Sequence, residues 1–363
     1  MTISAPEVLD PVDPAPTTQG PRPTASPLVR FIVVRFLLII PTVFILVTMV
    51  FLLMRTIGDP ITAALGGRLT PAELEARIHS AGYDRPLLVQ YVEYIGQVFT
   101  GNFGTAISDG RPVAQLLVTY GSATLELAFY ALLVAFIVGI PLGMLAAYLR
   151  DKWPDAILRV LAILAYATPV FFAGLLLKLV FSVWLKVLPV AGRATTRTEL
   201  SMNSLENRTG IYLIDAFRLG PVAVGDVLQH AVLPGLALGL LTAGVFLRLV
   251  RTNVIGTLSM DYVDAARSRG VSEYRLVRRH AYKPALIPII TVIGLQMAVL
   301  MGGAVLTETT FEWKGLGFKL AEYLTARDFV AVQGIVALLA VIVALSNFIV
   351  DIIAAIIDPR VRY

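Results

Sequence analysis

Six uncharged, mostly apolar stretches of at least 17 residues dictate what this chain becomes: Phe36–Met54, Leu127–Leu149, Val160–Leu177, Ala231–Leu247, Ala285–Thr307 and Phe329–Val350. The hydrocarbon core of a bilayer takes about 17–25 residues of helix, so each run is long enough to cross it. Charged residues are 15% of the chain and hydrophobic ones 57%, whereas soluble proteins carry about 25% charge. The fold class expected is an all-α membrane protein with six transmembrane helices. The first run exceeds the 7–15-residue core of a signal peptide and has no small-residue cleavage site, so it stays as an anchor. Lys178 closes the third run and can snorkel to the interface.

Loop charges set the orientation. Arg22, Arg30 and Arg35 precede the first span, and Arg150, Lys152 and Arg159 crowd the link between the second and third. Arg248, Arg251, Arg267, Arg269, Arg275, Arg278, Arg279 and Lys283 lie between the fourth and fifth, and Arg360 and Arg362 end the chain. All four groups fall on one side of a six-span arrangement. The positive-inside rule makes that side, and both termini, cytoplasmic. The net charge of +5 is thereby a topology signal and calls for no nucleic acid. Residues 1–29 hold seven prolines and few large apolar side chains, a composition too poor in burial to order itself, so a disordered cytoplasmic tail is expected.

Two segments on the other side are longer than turns. Residues 55–122 contain Pro71–Ile78 and Leu87–Val92, whose apolar spacing predicts short amphipathic helices on the outer face. Residues 186–229 are of mixed polarity with no clear period. Pro41, Pro141, Pro169, Pro234 and Pro288 fall within spans, as do Gly139-x-x-x-Gly143 and Gly235-x-x-x-Gly239. Small pairs at this spacing let helices approach closely, and ordinary packing in one bundle is the expectation for them.

Several chemistries are excluded. The chain has no cysteine, hence no disulfide, thiolate metal site or iron–sulfur cluster. His79, His230 and His280 show neither metal-ligand spacing nor acid–base partners. No phosphate loop of the form G-x-x-x-x-G-K-[ST] is present, so ATP bound in that way needs another polypeptide. Glu126, Lys178, Glu308 and Asp351 lie near span ends and are expected at the interface. Such scarcity of intramembrane charge argues against a proton-coupled carrier and suits a wide, weakly polar path.

What remains is the basic stretch from Arg251 to Pro284. Asp261 is placed to cap a first short helix, Gly270 to end it in a left-handed turn, Ser272 to begin a second and Pro284 to stop it. The adjacent Ala265 and Ala266 would let another protein's backbone come close. A surface helix whose arginines touch anionic lipid is the competing reading, but lipid does not require the order Asp-Ala-Ala…Gly.

That order, Asp264-Ala265-Ala266, three residues, then Gly270, resembles the loop of permease subunits of ATP-binding-cassette (ABC) importers, with Asp for the family's Glu. The family's distal Ile-x-Leu-Pro is replaced at His280, Tyr282 and Lys283. Gly82-Tyr83-Asp84-Arg85-Pro86, Gly101-Asn102-Phe103-Gly104-Thr105, Trp313-Lys314-Gly315-Leu316-Gly317 and Val332-Gln333-Gly334 are similar to the dipeptide/oligopeptide/nickel group. So are Thr124-Leu125-Glu126-Leu127-Ala128, Thr307-Glu308, Arg327-Asp328 and the ending Asp358-Pro359-Arg360. Residues 30–363 are covered, and the long first outer segment is typical of a B-type subunit.

The resemblance implies a bacterial cytoplasmic-membrane heterodimer with a C-type permease, two cytoplasmic ATPase domains that bind ATP and Mg, and an extracytoplasmic substrate-binding protein. This chain would hold no cofactor and catalyse nothing. Its coupling loop, residues 248–284, would present Tyr262, Asp264, Ala265, Ala266, Arg267, Arg269, Gly270, Glu273 and Tyr274 to an ATPase. Glu308, Arg327 and Asp328 are candidates for the outer mouth of a peptide path. A stand-alone secondary carrier or channel, and a membrane scaffold, are the alternatives.

Overall fold

The computed structural model describes residues 27–357. Most of the tail, Arg22, the ending Asp358-Pro359-Arg360 and Arg362 lie outside the described residues, as do the side chains of Lys283 and Pro288. The described chain is helical, with one isolated antiparallel bridge, Thr105 to Pro112. Helix α1 spans Pro27–Ile57, followed by α2 (Pro60–Leu65), α3 (Pro71–Ser80) and α4 (Leu87–Phe99). Thr70 and Glu73 form a reciprocal capping box at the start of α3, which satisfies two of its free backbone donors. Tyr91 of α4 bonds Thr48 at 2.7 Å, and Tyr94 stacks on Phe51, so α4 docks on the last turns of α1.

Helix α5 runs Val113–Tyr148 without a break in its helical path. It contains π-helical turns at Leu117–Gly121 and Ala135–Gly139, the second just before Pro141. The predicted third span is not straight. Helices α6 (Trp153–Ala167) and α7 (Val170–Trp184) meet at 106°. Thr168 is extended at ψ 126°, the conformation a following proline imposes, and Pro169 thereby breaks the span. Short α8 (Thr196–Asn203) and α9 (Tyr212–Leu219) follow.

Helix α10, Pro221–Leu258, has 38 residues, about 57 Å of helix. The predicted fourth span is only its middle. It is the axis of the bundle, packed on α5, α6, α7 and α9. Both small-residue pairs serve that packing. A Cβ on Gly143 would come within 2.8 Å of the Leu247 carbonyl, and one on Gly239 within 2.6 Å of the Ala131 carbonyl. One pair lies on α5 and the other on α10, on facing sides of one interface, so the two backbones close together over four turns.

Beyond the basic segment come α12 (Tyr282–Phe311), α13 (Leu316–Thr325) and α14 (Phe329–Ile357). Helix α12 encloses the predicted fifth span. Among the described residues, four helices are long and apolar enough to cross a membrane, or five if the bent α6–α7 pair is one span. Helix α1 lies at the margin, packed on α14 through Phe36 and Phe348 and through Arg35 and Asp351 at 3.5 Å.

Candidate functional site

The basic segment leaves the end of α10 and forms an elbow. Helix α11 is Asp261–Ser268. Met260 occupies the cap position and no side chain caps the helix, which corrects the expectation for Asp261. It is instead the first helical residue, and with Asp264 it places negative charge in the first turn, where the helix dipole favours it. The other end closes as a Schellman turn. Gly270 donates to the Arg267 carbonyl at 2.9 Å and Val271 to the Ala266 carbonyl at 3.3 Å. Gly270 sits at φ +78°, where an L side chain is strained.

One side chain spans the joint. The Arg267 guanidinium pairs with Asp264 before the glycine and with Glu273 after it, the latter at 2.7 Å. Exposed pairs of this kind add little stability; this one bridges the two sides of the glycine. Ser272 starts the next helical turn, Glu273–Arg275, which widens into a π-helical turn at Leu276–Ala281 and runs on into α12.

Pro284 therefore does not stop a helix, contrary to the sequence expectation. It is the third residue of α12, inside the helical path that starts at Glu273. The His280 carbonyl four residues earlier gets no N–H from it, and the Tyr262 hydroxyl donates to that oxygen at 3.2 Å. Tyr262 thus ties the exposed helix α11 to the root of α12.

The elbow is also rooted in the bundle. Val263, Leu276, Val277 and Ala281 are buried. Val277, Ala281 and Ala285 pack with Ala147 of α5 and with Val250 and Val254 of α10. Tyr274 meets Tyr148 edge to face at 6.1 Å. Nearby, Asp155 on α6 is fully buried and takes two bonds from Arg251, at 2.6 and 2.7 Å. Above this base, Tyr262, Asp264, Ala265, Arg267, Arg269, Gly270, Glu273 and Tyr274 are exposed and Ala266 is half-buried. All nine residues singled out in the sequence share one elbow.

The opposite end of the bundle is knitted shut by polar groups. Glu126, expected at the interface, is buried inside α5. It pairs with Arg193 and accepts from Tyr130, Tyr212 N–H and Leu213 N–H. The Arg193 guanidinium lies 3.6 Å from the centre of the Tyr212 ring. Glu308 accepts from the Thr124 hydroxyl at 2.6 Å and from Phe318 N–H at 2.8 Å, and the fully buried Trp313 donates to the Ala123 carbonyl at 2.8 Å. Asp328 accepts from Ser108 N–H and hydroxyl at 2.8 Å each and from Ala331 N–H.

Glu308 and Asp328, expected to face an outer mouth, are fully buried. Their oxygens hold loops that would otherwise leave buried donors unpaired. Arg327, at φ +56°, is exposed at the same end. Sequence reading missed Arg193, Asp155 and Arg251 as partners, because nothing local in an aperiodic loop or a basic run reveals a distant carboxylate. No cluster of three metal-ligating side chains occurs among the described residues.

A bundle of apolar helices about one long axis, with a charged elbow rooted in three of them, defines a helical membrane protein. Residues 139–363 match the family described as binding-protein-dependent transport system inner membrane component, and residues 28–114 match its N-terminal companion. The chain belongs to this family.

It is 40% identical to a probable D,D-dipeptide transport system permease protein of Escherichia coli K12, over 84% of this chain and 88% of that one. It is 37% identical to a di/tripeptide transport system permease protein of Pseudomonas aeruginosa UCBPP-PA14, over 93% and 99%. It is also similar in fold to the inward-facing MetNI methionine ABC transporter in a selenomethionine-soaked crystal form. The TM-score there is 0.50 at 16% identity, covering 67% of this chain and 97% of that one.

Proposed function

We propose that this chain is the B-type permease subunit of an ABC importer for small peptides, crossing the bacterial cytoplasmic membrane six times with α12 counted. With a C-type permease it lines the translocation path. Two cytoplasmic ATPase domains bind ATP and Mg and supply the work, and an extracytoplasmic binding protein delivers the cargo. Relatives named for dipeptide and di/tripeptide transport support the cargo class. The basic end faces the cytoplasm, as its arginines require, and segment 55–122 faces out.

The observation that carries this reading is the elbow of residues 261–281, exposed on one face and rooted in α5, α10 and α12 on the other. An ATPase seated on Tyr262, Ala265, Ala266, Arg269 and Tyr274 can displace it as a unit, because the Gly270 turn holds its shape and Arg267 bridges its two sides. Displacement reaches α12 through Tyr262 and α10 directly. Coupling then rests on contacts that differ between inward-open and outward-open states. No group in the chain needs to react for this to occur. Of the outer candidates, Arg327 alone keeps an exposed charge for incoming cargo.

Reconstitution in liposomes tests the proposal. Labelled dipeptide should enter only when both permeases, the ATPases, ATP and the binding protein are present. Uptake by this chain alone would establish a secondary carrier instead, and cross-links from Gly270 to anything but an ATPase would remove the coupling role.

A further inference from the structure

Helices α3 and α4 follow one another in the outer segment, yet they treat their apolar residues in opposite ways. In α3, Leu74 and Ile78 are half-buried while Glu73, Glu75 and Arg77 are exposed. That is the arrangement of a helix with protein on one face and water on the other. Helix α4 has two apolar faces. Tyr91 and Tyr94 hold the first against Thr48 and Phe51 of α1. The second is Leu88, Val92, Ile95 and Phe99, four residues at helical spacing. Leu88 is 77% exposed, Val92 67% and Phe99 73%, with Ile95 half-buried. The remaining face is polar. Gln90, Glu93 and Gln97 line a cavity shared with Arg55 and Gln333, and Glu93 pairs with Arg85 at 2.6 Å.

The height of α4 against α1 decides what covers the open stripe. The apolar run of α1 ends at Met54, and Arg55 is the first charge after it. Thr48, which Tyr91 meets at 2.7 Å, lies seven residues before that charge, about 10 Å along the helix. Amphipathic helices that lie in a bilayer surface sink about 5–10 Å into the boundary of headgroups and acyl chains. Helix α4 is therefore held at that depth.

The stripe also continues a lipid-facing surface. Helix α1 is long and apolar enough to cross the membrane and lies at the margin of the bundle. Beside its buried Val47 and Phe51 it exposes Ile45, Met49, Leu52 and Leu53. Leu88 and Ile95 are three and four residues from Tyr91, so the stripe borders the docked face of α4. The polar face lies on the far side, against the cavity.

We propose that α4 is embedded in the outer leaflet, with Leu88, Val92, Ile95 and Phe99 among acyl chains. It anchors the outer segment to the lipid surface, while α3 stays in water. The inference rests on α1 crossing the bilayer and is independent of the cargo.

The complete permease–ATPase complex in lipid nanodiscs tests this. The chain has no cysteine, so with partner cysteines replaced by serine one nitroxide label reports one site. Labels at Ile45→Cys on α1 and Glu75→Cys on α3 set the lipid and water ends of the scale. Collision with oxygen, which dissolves in lipid, and with a water-soluble nickel chelate is then measured at Val92→Cys and Phe99→Cys. Both should match Ile45→Cys, with an oxygen-to-nickel ratio at least several-fold above that of Glu75→Cys.

A ratio at Val92→Cys and Phe99→Cys equal to that of Glu75→Cys overturns the proposal and puts the stripe in water. Shielding from both reagents also overturns it, because a protein surface such as the second permease then covers the stripe. Leu88→Cys carries the test if a label at either position prevents assembly.

Discussion

Replacing Gly270 isolates the elbow from everything else in the molecule. Its φ of +78° is left-handed, and a Cβ built there meets nothing within 4 Å. The cost of a side chain is therefore backbone strain alone. An L residue in this region loses about 1–2 kcal/mol, which lowers the population of the closed Schellman turn by a factor of about 5–30. β-Branching raises the cost further, and Asn lowers it because its side chain bonds locally.

The expected order of ATP-driven dipeptide uptake is Gly270 > Gly270→Asn > Gly270→Ala > Gly270→Val. The Val variant should be close to inactive while inserting normally, because the apolar helices are untouched. ATPase activity of the assembled complex should persist but no longer respond to binding protein. Wild-type uptake by the Val variant would refute the reasoning. So would Asn and Val being equally damaging, since that result points to a clash with the partner rather than to strain in the turn.

Three other perturbations have defined outcomes. Arg193→Met leaves Glu126 buried without its cation and should cost about 3–5 kcal/mol, read as a large drop in thermal unfolding temperature in detergent; adding Glu126→Gln should restore only part of it, because both carboxylate oxygens accept backbone N–H groups, from Tyr212 and Leu213, and an amide nitrogen cannot. Gly239→Val drives a side chain into the Ala131 carbonyl and Val134 and should cost at least about 1–3 kcal/mol, whereas Gly256→Ala, with open space around it, should stabilise α10 by roughly 0.5–1 kcal/mol; the same melts distinguish the signs.

Acid should loosen α3. Backbone and hydroxyl bonds from Thr70 hold the Glu73 carboxyl below its usual range. A depressed folded value means that the capping box contributes fully above the unfolded pKa and loses its contribution as pH falls through the folded one. Amide exchange of α3, corrected for intrinsic rates, should accelerate over that window, and Glu73→Gln should abolish the dependence.

The chain's own pattern determined its class, because an uncharged run of 17 residues or more has few fates other than a bilayer helix. It also determined the elbow. Asp264, Ala266 and Gly270 bond to residues three to five positions away, and turn chemistry of that range is written locally. Pro169 was legible only as a proline inside one span, for which ordinary packing was expected, and the 106° break appears only in the folded chain. Tertiary structure alone decided that α10 is twice its apolar core, that Pro284 sits inside a helix whose loose carbonyl Tyr262 takes up, and that Glu126, Glu308 and Asp328 are buried. Their partners lie 67, 184 and 220 residues away. A carboxylate at the end of an apolar run looks solvated until the chain supplies its cation or donor, and only packing brings that group within reach.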